Sequence, residues 1–334
     1  MEKTLSILLG GDAMLGRGVN DTLQEVSPEY PLLSLQDITQ NADLFFTNLE
    51  CAISPGHRVF SGPAKTFYFR ADPVAAECLA VAGVDLVSLA NNHALDADYQ
   101  GLLDTFGILE GRDIAYVGAG EDVNAASEPL ILRRNGMEIG VLGYCDHQME
   151  FAADTETPGI RYIDISDSDQ VKTMENEVNS LAADVDHVVV SLHWQPNWVP
   201  EISDRYRALA RRLVTAGASV LWGHSPHHFQ GVEWIGQSIV IYSSGGLIDD
   251  YAVDLTFRND RQILFEVRLG PNTVHAVWGY PLQLEFARTQ QAGKEVRDWI
   301  ADRFRDYCRE VGSHVEMRGE KMKVLRNHEE QREW

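Results

Sequence analysis

Six short apolar runs, each ending in polar side chains, constrain the fold of this sequence more than any other feature. They are LSILLGG at 5–11, DLFFTNLE at 43–50, VDLVSLANN at 84–92, DIAYVGAG at 113–120, DHVVVSLHW at 186–194 and ASVLWGH at 218–224. Near-continuous runs rich in Val, Ile and Leu describe strands covered on both faces, as in the parallel sheets of α/β proteins. Between them, 72–83, 96–112, 166–184 and 203–217 have helical spacing, with Ser or Asp near most starts and Gly near several ends. Three further pairs of runs predict hairpins, turning at Asn135-Gly136, near Ile235-Gly236 and at Gly270-Pro271-Asn272. The expectation is an α/β protein with mixed sheets.

The chain has neither an internal repeat nor a low-complexity linker, which predicts one compact domain over 1–288. Residues 289–334 add a helix near 290–310 and a charged, partly ordered tail packed on that domain. With 334 residues and 44% hydrophobic content, the chain can bury a substantial core. Its net charge of −22 opposes nucleic acid and anionic membrane surfaces as partners, but permits cationic partners or a local metal site. Cys51, Cys78, Cys145 and Cys308 form no Cys-x-x-Cys pair and read as reduced thiols. The opening MEKTLSILLGGDAM is too short in its apolar part for a signal peptide or a membrane span, so a cytoplasmic location is expected. Composition leaves the oligomeric state open.

In open α/β sheets, ligands bind beyond the carboxyl ends of the strands. Asp12 follows the first run, Glu50 the second and Asn91-Asn92-His93 the third. His193 ends the fifth, and His224 with His227 the sixth. Taken alone, Asp12 reads as the cap of a turn, Asn92 as a helix cap and His193 as a packed core histidine. Five strand ends delivering nitrogen and oxygen donors to one rim read together as a divalent-metal site. Manganese, iron and zinc all suit such a set. Two ions about 3.5–4 Å apart would need a bridging carboxylate.

The blocks GGDAMLGR, TNLECAIS, SLANNHALD, SLHW, GHSPHHFQGVE and YSSGGLIDDY, in this order and spacing, resemble the CapA family of poly-γ-glutamate capsule proteins. That family belongs to the calcineurin-like metallophosphoesterase superfamily. The segment DDYAVDLTFRND at 249–260 resembles a soluble branch without a membrane anchor. The resemblance implies a four-layer αββα sandwich of two mixed sheets with the site at one end. It implies metal ligands at Asp12, Glu50, Asn92, His193, His224 and His227, with Glu50 bridging and His93 in reach of the scissile group as acid or electrostatic stabiliser. Three departures stand out. Met14 occupies the histidine position of the Asp-x-His of calcineurin-like enzymes, and because a thioether is a poor ligand, the ion at Asp12, Glu50 and His227 is expected to bind more weakly. His224 and His227 are one residue further apart than in the common Gly-His-x-His. The stretch from His193 to Trp198 lacks the family's Gly and Glu.

Around this rim, Arg17 is placed either to meet an anionic substrate bidentately or on a helix surface. Lys65 and Arg70 read either as positive charge facing a carboxylate-rich substrate or as a solvated strand edge. Trp194 and Trp198 are expected in the pocket, and Trp222 and Trp234 in the core. His228 should diverge from His227, at the surface or behind the ligands. Three functions fit the sequence. One is a metal-dependent hydrolase or transferase acting on a phosphoester, peptide or γ-glutamyl substrate. Another is a metal-free acid–base enzyme, such as a peptide epimerase, using Asp12 with His224 or His227. The third is a non-catalytic capsule-assembly subunit.

Overall fold

The computed structural model describes residues 4–56 and 58–326. Its first sheet is built around the strand Leu5–Ala13. On one side this strand is followed by the parallel strands Leu44–Leu49, Leu86–Ser88 and Ala115–Val117. On the other side it pairs antiparallel with Arg261–Leu269, which is followed by Val274–Glu285 and the hairpin His314–Arg318/Lys321–Leu325. The short strand Gly246–Ile248 adds to the carboxyl end of Leu5–Ala13. The second sheet runs Val232–Ile235, Ser238–Ile241, Val220–His224, His187–His193, Met137–Cys145 and Leu130–Arg134, parallel at its centre and closed by a hairpin at each edge.

Strand alternation assigns each side chain to a layer. Ile7, Leu9, Leu44 and Phe46 of the first sheet face inward onto Ile139, Val189, Val220 and Trp222 of the second. Leu8, Phe45 and Val87 face outward and are covered by Val19, Leu79, Leu102 and Phe106 from the helices Arg17–Glu25, Val74–Ala82 and Asp98–Glu110. Val188, Val190 and Leu221 face outward on the opposite side, under Met174, Val178, Leu209 and Leu213 from Ser168–Ala182 and Asp204–Thr215. The result is a four-layer αββα sandwich of two mixed sheets, as the resemblance implied. Trp222 and Trp234 are core residues, and Trp222 Nε1 donates to Gly10 O at 2.9 Å, tying one sheet to the other.

Local chemistry explains the element boundaries. Asp167 caps the helix Ser168–Ala182 by accepting from the Asp169 and Gln170 amides. Gly83, at φ +83°, ends Val74–Ala82 in the left-handed region. The predicted Asn135-Gly136 turn has φ +51° and +73°, both residues left-handed as a type I′ hairpin requires. The run at 113–120 breaks at Gly118 into Ala115–Val117 and Ala119–Gly120. The C-terminal helix forms over Lys294–Glu310 and buries Ile300, Phe304 and Cys308 in the inner core. The sequence expectation fails after it. Residues 314–325 are a hairpin extending the first sheet rather than a charged tail, because Val315, Met322 and Val324 alternate with charged positions and reach the core. Residues 327–334 of that expected tail lie outside the described residues. The strand Arg288–Gln291 spans the expected division at 288/289 and pairs with Val274–Glu285, so both sides share one sheet. Among the described residues no helix is long and apolar enough to cross a membrane. All four cysteines are buried and free.

Candidate metal centre

Parallel pairing brings the polar strand ends together. His193 and His224 are in-register partners at the ends of adjacent strands of the second sheet, and their Nδ1 atoms lie 2.8 Å apart. Asp12 is paired with Asn48 in the first sheet, and Asn48 Nδ2 donates to Asp12 Oδ1 at 2.8 Å. Asp12 Oδ1 lies 3.8 Å from His224 Nδ1, so the site spans both sheets. Gly11 allows the close approach behind Asp12, since a Cβ there would fall 2.0 Å from Gly245 O. The Asp12 amide donates to that same carbonyl at 2.8 Å.

Among the described residues, two groups have metal-ligand spacing, with their donor atoms within 4.8 Å of one another: Asp12, His193 and His224, and Asp12, Glu50 and His227. The carboxylate common to both is Asp12, whereas the family resemblance implied Glu50. His227 has φ +61°, and that left-handed turn puts its Nδ1 3.2 Å from Asp12 Oδ2 and its Nε2 3.9 Å from Glu50 Oε1. Asn92 Oδ1 accepts from His193 Nε2 at 2.9 Å, which brings the sixth expected ligand against the cluster.

Electrostatics prepares these groups for a cation. Burial pushes Glu50 well above the usual carboxylate range, and the charge of Asp12 adds to that. Burial also opposes ionisation of Asp12, but nearby His227 and His224 outweigh it and hold Asp12 below its ordinary value. Burial pushes His193 well below the usual imidazole range, with His224 and His147 adding to it, and drops His224 to about 4. These histidines are neutral donors at neutral pH. Asp12 Oδ2 and Glu50 Oε1 are buried and make no hydrogen bond among the described residues. A divalent ion satisfies buried carboxylate oxygens beside neutral imidazoles, so the residues fit such an ion.

His93 stands at the edge of this cluster. Its Nε2 is 3.9 Å from Glu50 Oε1, and its Nδ1 is 2.5 Å from Asp96 Oδ2. Asp96 also accepts from Lys65 Nζ at 2.5 Å and from the Phe69 amide at 2.7 Å. Lys65 is thus half-buried behind His93, bonded to Asp96 and to Asn92 O. Arg70 is likewise engaged elsewhere, with Ser54 O at 2.6 Å and Asp72 Oδ1 at 2.7 Å. Trp194 is core rather than pocket: its ring stacks on Tyr242, and its Nε1 donates to Tyr242 O at 2.8 Å. Trp198 does reach the site, with its ring 5.5 Å from that of His227. Arg17 pairs with Asp250 at 3.0 Å and remains 40% exposed over the rings of Phe69 and Tyr251. His228 is buried rather than at the surface, and its Nε2 donates to Val199 O at 2.9 Å.

Several site residues escaped sequence reasoning. Ser191 hydrogen bonds His224 Nε2 at 2.8 Å, and Asn48 accepts at Oδ1 from Asn91 at 3.0 Å. His147, held by Asp146 at 2.9 Å, bonds Gln195 O at 2.7 Å and approaches Ser225 Oγ to 3.1 Å, tying together the loops that follow the two histidine strands. Two-residue spacing was the available signal for Asn48, which precedes Glu50, and for Ser191, which precedes His193. His147 gave none, because Gln195 and Ser225, which it joins, lie in loops distant in sequence.

Fold and site define a four-layer αββα sandwich with a buried cluster of histidines and carboxylates at the strand ends. The chain belongs to the family described as bacterial capsule synthesis protein PGA_cap, whose model matches residues 6–251. It is 27% identical to a probable polyglutamine synthesis accessory protein of Mycobacterium tuberculosis, over 93% of each chain. It is 28% identical to the capsule biosynthesis protein CapA of Bacillus anthracis, over 74% of this chain and 60% of that one. A hypothetical protein from Thermus thermophilus shares the fold at a TM-score of 0.54 and 18% identity, covering 84% of this chain and 99% of that chain.

Proposed function

We propose that this protein is a divalent-metal-dependent hydrolase or transferase acting on a phosphoester or amide bond, with a γ-glutamyl polymer or peptide as the substrate class. The observation that carries the reading is the pair of orphaned buried carboxylate oxygens, Asp12 Oδ2 and Glu50 Oε1, beside neutral histidines. Asp12, His193 and His224 would hold one ion, with Asn92 orienting His193 from its Nε2 side, and Asp12, Glu50 and His227 a second. Bound there, the metal would polarise the phosphoryl or acyl oxygen and make water a better nucleophile. The protein's own groups do the rest. His93, whose Nδ1–H is held by Asp96, presents Nε2 toward the cluster, where it would take a proton from the attacking water and pass it to the leaving group. Arg17 at the mouth meets an anionic part of the substrate, and Trp198 supplies an apolar wall beside His227. The names of the relatives, a capsule biosynthesis protein and a polyglutamine synthesis accessory protein, support the γ-glutamyl class. The test is hydrolysis of an aryl phosphate and of a γ-glutamyl peptide by manganese-loaded protein, before and after exhaustive chelation. Activity lost with the metal and restored by it supports the reading, and activity that survives chelation contradicts it.

A further inference from the structure

Tyr251 carries a hydroxyl that the fold places but does not satisfy. Its amide donates to Asp249 Oδ1 at 2.9 Å. The intervening Asp250 accepts from the Gly18 amide at 2.9 Å and pairs with Arg17, so the segment 249–251 is fixed to the start of the helix Arg17–Glu25. The ring stands edge-on to His227 with centroids 5.5 Å apart, 5.8 Å from Phe69 and 5.8 Å from the Arg17 guanidinium carbon. Held on these sides, the hydroxyl oxygen is buried and finds no hydrogen-bond partner among the described residues. It shares that condition with Asp12 Oδ2 and Glu50 Oε1.

A buried hydroxyl without a partner costs about 1–3 kcal/mol, and phenylalanine would fill the same space without that cost. The hydroxyl therefore has no stabilising role within the folded chain, and its partner must come from outside. At neutral pH a tyrosine phenol carries its proton. A phenol that keeps its proton is a donor and a poor metal ligand.

We infer that the Tyr251 hydroxyl donates a hydrogen bond to a non-bridging oxygen of the phosphoryl or tetrahedral acyl group held at Asp12, Glu50 and His227. The inference rests on the proposed metal-dependent function and adds a substrate-contacting residue to it. Together with Arg17, whose guanidinium lies over the same ring, it defines the ligand as an oxyanion approached from the side of residues 249–251.

Inorganic phosphate is the probe. Its binding to manganese-loaded wild type and Tyr251→Phe is measured by titration calorimetry, alongside manganese content and melting temperature. The variant should bind phosphate about 10- to 100-fold more weakly, as expected for a lost hydrogen bond to a charged group, with unchanged manganese and an unchanged or higher melting temperature. Equal phosphate affinity in the two proteins overturns the inference, as would be the case if water were the only partner of the hydroxyl. Loss of manganese from the variant also overturns it, by making the phenol a ligand, and so does a wild type that holds manganese but no phosphate. A wild type that takes up no manganese instead overturns the proposed function, and this inference with it.

Discussion

His193 and His224 meet Nδ1 to Nδ1 at 2.8 Å because two parallel strands end in register, and each imidazole is held from behind on its Nε2 side. Asn92 Oδ1 accepts from His193 Nε2 at 2.9 Å, and Ser191 Oγ lies 2.8 Å from His224 Nε2. Both Nδ1 atoms are thereby aimed at the space beside Asp12. Groups that orient a metal-binding imidazole typically contribute 10–100-fold in metal affinity. Ser191→Ala should therefore weaken manganese binding by about that factor, measured by calorimetry, while His224→Ala should abolish the tighter of two binding events. Wild-type affinity in Ser191→Ala would show that the hydroxyl orients nothing.

His93 faces the cluster from 3.9 Å and belongs to neither ligand group. His93→Ala should keep its manganese and lose roughly 10²–10⁴ in turnover, the usual contribution of a positioned acid or base. Metal content and kcat measured on the same preparation decide the matter, since joint loss of metal and turnover would make His93 a ligand.

The two ligand groups differ in composition, which predicts unequal affinities. Asp12, His193 and His224 offer two neutral imidazoles with oriented lone pairs. Asp12, Glu50 and His227 offer one imidazole and a carboxylate whose proton burial retains. Met14 adds no ligand, being fully buried in the apolar cluster beneath the helices. Manganese titration should show a tight event followed by a weaker one, and two equally tight events would contradict this asymmetry.

Strand ends were the legible part of the sequence. Asp12, Glu50, Asn92, His193, His224 and His227 are recognisable because apolar runs announce where strands stop, and parallel sheets gather those stops on one rim. Side chains that depend on packing between elements were not legible. Lys65 and Arg70 look alike in PAKTFYFRADP, yet one is bonded to Asp96 behind His93 and the other to Ser54 and Asp72. Trp194 and Trp198 are four positions apart, and a left-handed residue at each of Gln195 and Trp198 sends the first into the core and the second to the rim. The C-terminal hairpin was hidden by its charge: Lys321 and Lys323 lie on the face opposite Met322 and Val324, and charged residues there mask a two-residue alternation.

Trp222 joins the two sheets through its bond to Gly10 O, and Gly10 O also accepts from Ser244 Oγ at 3.2 Å. Trp222→Phe removes one buried hydrogen bond and leaves space behind the ring, without orphaning the carbonyl. The expected cost is about 1–3 kcal/mol, read as a lower urea midpoint with an unchanged slope. A midpoint equal to that of wild type would mean that the inter-sheet bond contributes nothing.

The central claim is that the strand-end cluster of Asp12, Glu50, Asn92, His193, His224 and His227 holds divalent metal. Its most direct test is manganese content by plasma mass spectrometry, on wild-type protein stripped with chelator, reloaded and freed of excess ion. The account predicts between one and two ions per chain, whereas less than one ion per chain under saturating manganese or zinc would contradict it.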